Sequence, residues 1–372
     1  MSSQMPPRPK EYKPGSGNDR YVEFAHDWLG VTPTYVLKQI AAAIEEHQQV
    51  LVLGANGIGK SFGIPAIGLP ALYTNPQTIV HITAGTSTTL KNTIWKGTKT
   101  LFKHAKENYG LPGRHLDGTR EIRTELGEEW YYECISPRYP DDLEGPHNEH
   151  VIYFIEEADK PGVTKEHIDS VRSTVTDEND RVVVVANPPV DESNAVYDLI
   201  ESDEWHTLQF ASWDSHNVRV ERGIEDGEKI GGLVDTSKIE SDWGEYHDEE
   251  WPGLEQVIEW SDPDSESFRT DLHTLWYKRR AGIVPPDDAE TWRPFTISEV
   301  KAAYNRDVGH TRETPQSVGV DVARGGGDKT VAIGLHNTEV RVEYQKKGTN
   351  HVTQRKALEG KLNEWASPTV HV

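Results

Sequence analysis

Cysteine is nearly absent from this 372-residue chain: Cys134 stands alone, which excludes an internal disulfide. No window approaches the roughly 18 apolar residues that a membrane-spanning helix needs. The opening stretch MSSQMPPRPKEYKPGSGNDR has no apolar core, so it does not read as a secretory signal. Its Pro, Gly and Ser content predicts a disordered arm over 1–20. The expectation is a soluble, intracellular protein. Basic residues are also in short supply, 39 Lys and Arg against 61 Asp and Glu, a net charge of −22. Net charge alone therefore excludes strong attraction to nucleic acid, because phosphate contacts need Lys and Arg. Either the protein avoids nucleic acid, or its partners work in concentrated salt, where the screening length falls to roughly 3 Å near 1 M. An acidic excess that is not confined to one tail favours a salt-loaded, halophilic cytoplasm.

What the chain does have is length for two or three domains and a regular alternation of elements. Thr32 to Gln49 carries Val36, Leu37, Ile40 and Ile44 on one helical face, with Thr32–Pro33 as its start. VLVL (50–53) reads as a buried strand, followed by a glycine turn and a helix over about 60–73. TIVHITA (78–84) is the next strand, and a long helix runs on to about Asn108. REIRTEL and EWYYECI flank Gly127 as a hairpin. HVIYFIEEAD is a strand ending in acids, and RVVVVANPP is a strand running into a proline turn. Apolar strands alternating with helices predict a mainly parallel α/β sheet covered on both faces. From Trp213 to Pro315 the pattern weakens into an acidic, Trp- and Gly-rich connecting subdomain. A new pattern of short strands begins near 316.

GANGIGKS, Gly54 to Ser61, fits G-x-x-x-x-G-K-[ST], the Walker A phosphate loop (P-loop), between a strand and a helix. Gly54, Gly57 and Gly59 let backbone N–H groups curl towards phosphate oxygens, and Asn56 lies within the same loop. The helix dipole adds to that field. Lys60 reaches the β- and γ-phosphates of ATP, and Ser61 offers its hydroxyl to Mg²⁺. A chance glycine turn is the bland alternative. The acidic strand end supplies the other half: Glu156 on the magnesium side, Glu157 to orient or deprotonate water. Asn187 ends a third strand, where an amide can sense the γ-phosphate or simply start an Asn-Pro turn.

Four stretches in order, GANGIGKS, LEGPHNEHVIYFIEEAD, RVVVVANPP and VGVDVARGGGDKT, resemble the large terminase subunit of tailed viruses. GVTKEHIDSVRSTVT, between the second and third, is also similar. The resemblance covers the chain from about Tyr21. It implies a P-loop ATPase domain over 21–212 and an RNase H-like α/β nuclease domain from 316. It implies ATP-driven movement of double-stranded DNA into a procapsid and cutting of concatemers. It also implies a subunit ring, a portal protein and a small terminase subunit as partners, in the host cytoplasm. Carried over by position, Lys60 and Ser61 hold nucleotide and metal, Glu157 is catalytic, and Asn187 couples hydrolysis to motion. Glu156 replaces the family's usual Asp, and Asn56 stands where many members have arginine. Tyr35 and Gln39 are candidates for flanking adenine, and Arg138 for an arginine acting on a neighbour's nucleotide.

In an RNase H-type domain the first metal-binding acid lies mid-strand. Asp321 fits, since Val318, Val320 and Val322 alternate with Gly319, Asp321 and Ala323. Asp328, after the glycine run, is either a second ligand for Mg²⁺ or Mn²⁺ or a turn-stabilising aspartate. TVHV should lie beside the Asp321 strand. The family's second acid is expected just after it, at the point where this chain ends. That marks the nuclease as incomplete, a C-terminal truncation, and predicts no DNA cutting by this chain alone. Lys346 and Lys347 are candidate DNA contacts or a solvated strand end. Two other readings stay open: a helicase-like P-loop motor, and a non-catalytic motor fragment that binds portal or small terminase.

Overall fold

A computed structural model describes residues 20–137, 139–143, 148–175, 177–190, 193–287, 289, 302–303, 306, 313–321, 329–337, 339–347, 356, 359–361 and 369–371, with backbone alone for 329, 347 and 369–371. The chain forms two compact units, Met1–Thr296 and Ile297–Val372.

The first unit is built on eight strands: β1 (Gln49–Gly54), β2 (Thr78–Ala84), β3 (Arg114–Leu116), β4 (Glu121–Arg123), β5 (Tyr131–Cys134), β6 (His150–Glu156), β7 (Arg181–Ala186) and β8 (His206–Phe210). Their order is β3-β4-β5-β2-β6-β7-β1-β8. The run from β5 to β8 is parallel throughout, and only β3-β4-β5 is antiparallel. This is the mainly parallel α/β sheet expected from the alternation. β1, β6 and β7 are continuous apolar runs because both their faces are covered.

One face is covered by α1 (Arg20–Leu29), α2 (Tyr35–Glu46), α3 (Lys60–Thr74) and the segment α4 (Ser87–Thr89), π turn (Leu90–Trp95), α5 (Lys96–Tyr109). Thr34 caps α2 by accepting from Leu37 N, and Gly110 ends α5 in the left-handed region. α3 is apolar all round and buried from Gly63 to Tyr73, as a helix under a sheet must be. The other face packs against α6 (Lys165–Thr174), α7 (Tyr197–Ile200) and Leu143.

Three features differ from the sequence reading. Arg20 is not part of a disordered arm: it begins α1, is buried, and bonds Glu45 and Asn75. β8 adds an edge strand beside β1, where a half-exposed HTLQF has little apolar signal. The acidic stretch after Trp213 is not a separate body. It folds in the first unit as α8 (His216–Glu221), α9 (Thr236–Tyr246), α10 (Leu254–Ser261), α11 (Thr274–Trp276) and a π turn (Tyr277–Ala281). Its Trp243, Val257, Trp276 and Tyr277 join the same core as α1–α3. Charges hide that apolar stripe from a reading of composition.

In the second unit β9 (Ser317–Asp321), β10 (Lys329–His336) and β11 (Glu339–Lys347) form an antiparallel meander. β12 (Thr369–His371) lies parallel to β9, as expected for TVHV. Val318 is buried and packs with Ala332, while Gly319 and Asp321 face solvent.

Candidate functional site

In a parallel sheet, the carboxyl ends of the strands all open on one edge, and ligand sites collect there. β1 ends at Gly54, β6 at Glu156 and β7 at Ala186, so the three conspicuous sequence stretches leave the sheet side by side. A cavity of about 610 Å³ opens at this edge. It is lined by Asn56, Gly57, Gly59, Lys60, Ser61, Glu156, Glu157, Asp159 and Asn187 together. Lys60 and Glu157, 97 residues apart in sequence, thus share one cleft.

The loop geometry follows from its glycines. Gly59 sits at φ +98 as the residue before α3, a conformation an L side chain rarely adopts. A Cβ on Gly54 would lie 2.8 Å from Ile58 Cδ1 and 3.0 Å from Lys60 Cδ, so the lysine stem needs that space. Lys60 Nζ folds back and donates to the carbonyls of Gly54 (2.7 Å) and Ala55 (2.6 Å) and to Asn187 Oδ1 (3.0 Å). Ser61 Oγ donates to Glu156 Oε1. Burial holds the Lys60 ammonium down to about 8, against the upward pull of Glu156 and Asp159. Burial likewise pushes the Glu156 carboxyl up to about 7, against the Ser61 hydrogen bond and Lys60. Glu156 Oε2 is buried and has no hydrogen-bond partner among the described residues. An orphaned carboxylate oxygen beside a serine hydroxyl is a donor set suited to one hard cation.

Glu157 follows at φ +52, in the left-handed region, strained for a residue with a Cβ. The twist turns its side chain away from the direction of Glu156, and its Oε2 accepts from Thr89 Oγ1 at 2.8 Å. Asp159 is buried. Its Oδ1 accepts from Asn187 N (3.1 Å) and its Oδ2 from Lys278 Nζ (3.1 Å). The end of β7 is therefore tied to the turn after β6 through one carboxylate.

Four residues here were missed by the sequence reading. Asp159 was counted only as the last letter of an acidic run. Thr89 lies on the segment after β2. Lys278 and Arg280 belong to the π turn far downstream. Arg280 donates to Asp242 (2.6 Å), to Ser212 Oγ and to the carbonyl of Asn56, both at 3.2 Å. Asn56 N donates to the carbonyl of Arg279 at 3.0 Å. The loop's middle is thus pinned by Arg279 and Arg280 of KRR (278–280), whose only sequence signal is a basic triplet inside an acidic region.

Other expected residues lie elsewhere. Tyr35 and Gln39 do not line the cleft: Tyr35 packs edge-on against Phe210 and under Arg219, and Gln39 is exposed. Gly30, Val31, Thr32, Val36 and Leu37 line it instead. Arg138 and Asp328 lie outside the described residues. Asp321 is exposed at the end of β9, and Lys346 is exposed on β11. Lys347 is described in backbone only. Among the described residues, no three His, Cys, Asp or Glu side chains are placed to hold a metal ion. No helix among them is long and apolar enough to cross a membrane.

No family model matches the chain, and no curated protein matches it. Solved structures do. The HK97 bacteriophage large terminase is 13% identical with a TM-score of 0.46, over 93% of this chain and 72% of that one. The large terminase of a thermophilic bacteriophage in complex with ADP is 11% identical with a TM-score of 0.44, over 93% and 74%. The large terminase ATPase domain of Thermus phage P74-26 is 16% identical with a TM-score of 0.40, over 53% and 88%. What this chain is similar to, at that distance, is a set of phage large terminases.

Proposed function

We propose that this chain is an ATP-hydrolysing motor subunit that moves double-stranded viral DNA into a procapsid. The observation that carries the reading is the single cleft shared by Lys60, Ser61, Glu156, Glu157 and Asn187. A glycine loop at a strand end, a lysine with nothing but carbonyls and an amide to bind, and an orphaned carboxylate beside a hydroxyl all suit a magnesium-bound triphosphate.

The chain's own residues divide the work. The loop amides from Asn56 to Lys60 cradle phosphate oxygens, and Lys60 leaves the Gly54 and Ala55 carbonyls to neutralise them. Ser61 and Glu156 would hold Mg²⁺. When bound, Mg²⁺ offsets the charge that builds on the phosphates. Glu157 orients a water and accepts its proton as the water oxygen bonds the γ-phosphorus and the bond to the β–γ bridging oxygen breaks. Products are ADP and inorganic phosphate. Asn187, shared between Lys60 and the Asp159 turn, links the state of the phosphates to the end of β7. In the second unit we assign Asp321 as the first metal-binding acid of an RNase H-like nuclease. Two-metal cutting needs further carboxylates, and Asp328 is proposed as a second metal ligand. Portal protein, small terminase subunit, a ring of copies and the host cytoplasm complete the proposal.

The test is ATP hydrolysis across a range of salt, with and without DNA. Lys60→Ala should abolish it, and Glu157→Gln should slow it by about 10²–10⁴-fold while nucleotide still binds. Nucleotide binding without turnover at any salt would favour a non-catalytic fragment and overturn the motor.

A further inference from the structure

The sixty residues from His47 to Lys106 hold six lysines and not one Asp or Glu. All 61 acids of the chain lie outside that run. One of the six lysines is Lys60 in the cleft. The other five, Lys91, Lys96, Lys99, Lys103 and Lys106, sit on the segment of α4, π turn and α5. Its inner side is apolar and buried through Leu90, Ile94, Trp95, Leu101, Phe102 and Ala105. Lys99 pairs with Asp117 at 2.8 Å and Lys106 donates to the Gly113 carbonyl, so both serve the fold. Lys91, Lys96 and Lys103 are exposed, with no polar partner among the described residues.

Their alignment depends on the π turn. Lys96 and Lys103 are two α-helical turns apart, about 10 Å on one face. Five residues of α-helix would swing Lys91 about 140° away from Lys96. The π turn bonds i to i+5 and so brings Lys91 back towards their line. The three ammonium groups then span about 18 Å, the rise of roughly five phosphates on one DNA strand.

We propose that this lysine line binds the phosphate backbone of duplex nucleic acid and reports its presence to the cleft through Thr89. Naming the duplex as DNA rests on the motor reading; the surface rests on charge and spacing. Thr89 closes α4, directly before the π turn, and its hydroxyl holds Glu157. Any shift of the segment under a bound polyanion therefore moves the group that orients water. Contact through three lysines is sequence-independent and sensitive to salt.

The experiment measures binding of a short fluorescent DNA duplex to the full chain from low to moderate salt. Lys91→Gln, Lys96→Gln and Lys103→Gln combined should weaken binding at least tenfold at low salt. The slope of log affinity against log salt should flatten by about 3, roughly one per lost phosphate contact. Three equivalent changes at Lys38, Lys165 and Lys229 should leave both unaltered. Thr89→Val should keep the affinity but lose the acceleration of ATP hydrolysis by DNA, and Thr89→Ser should restore it. Unchanged affinity and slope in the triple variant, or no duplex binding by the unaltered chain at low salt, overturns the proposal. A triple variant that loses only self-association, measured by sedimentation, assigns the face to an acidic second copy and also overturns it. Hydrolysis by the unaltered chain without DNA is read separately. Its absence, together with no hydrolysis when DNA is added, alongside lysine-dependent binding would sink the motor reading and leave this surface standing.

Discussion

Lys278 Nζ lies 3.1 Å from Asp159 Oδ2, an ion pair joining residues 119 positions apart at the floor of the cleft. Asp159 in turn accepts from the backbone of Asn187, so one buried carboxylate is shared by the ends of β6 and β7 and by the downstream π turn. A segment that reads as a connector thus helps to set the geometry of the proposed active site.

Removing the cation exposes how much that pair holds. Lys278→Met should leave the buried Asp159 carboxylate with the half-exposed Lys160, 3.8 Å away, as its remaining ion-pair partner, at a cost of about 2 kcal/mol. Urea unfolding of the first unit should shift to lower denaturant accordingly. Lys278→Met with Asp159→Asn should recover most of the loss, because the neutral amide still accepts from Asn187 N. A double variant no more stable than the single one would refute the pairing.

Glu157 combines strain with its proposed role. Glu157→Ala keeps a Cβ at φ +52, whereas Glu157→Gly removes the penalty. Both should lose hydrolysis, yet the glycine variant should be more stable than the alanine variant by about 1 kcal/mol. Equal stability by chemical denaturation would show that the left-handed turn is not strained.

Two buried groups give the nucleotide-free protein a pH signature. Glu156 is raised from 4.5 to about 7, so the folded state binds its proton more tightly than the unfolded chain. Stability from this group is full in acid and is lost as pH rises from about 5 through 7. Lys60 is lowered from 10.5 to about 8, so the folded state binds its proton less tightly. Its contribution is full above 10.5 and is lost as pH falls towards 8. The two leave a trough between about pH 7 and 8. Thermal melts without nucleotide should pass through that minimum, and Mg²⁺ with ATP should fill it. Glu156→Gln should abolish the fall between pH 5 and 7; an unchanged slope would show that Glu156 does not carry that proton.

Gly282 ends the π turn at φ +70, where an added Cβ would lie 2.1 Å from the Phe210 carbonyl. Gly282→Ala should therefore push the 277–281 turn away from β8 and release the Arg279 carbonyl from Asn56 N. Nucleotide affinity should fall at least tenfold, with a loss of about 2 kcal/mol or more in stability. Wild-type affinity in this variant would show that the turn does not hold the loop.

Much of the site was legible because its signals are local. β2 spans Thr78–Ala84 and α3 opens at Lys60, as the apolar run and the glycine loop require. Glu156 and Glu157 were identifiable as a strand end. Which carboxylate faces the serine and which faces Thr89 was not, because a single positive φ separates them. Tyr35 and Gln39 failed as cleft residues because helical phase, not proximity in sequence, decides which residues of α2 line the cleft. The expected metal-binding roles of Asp321, exposed at the end of β9, and of Asp328, outside the described residues, stand as proposals.

By itself the sequence determined the parallel α/β layering, the glycine loop between β1 and α3 and the order of the acidic and amide strand ends. These depend on alternation and on spacing within a few residues, which survive without knowledge of neighbours. Only the tertiary structure decided that Lys278 holds Asp159, that Arg280 clamps the loop, that Thr89 reaches Glu157, and that a π turn interrupts the segment carrying Lys91, Lys96 and Lys103. Such contacts join segments from tens to hundreds of residues apart. Chain closure and burial choose among the many pairings that composition alone permits.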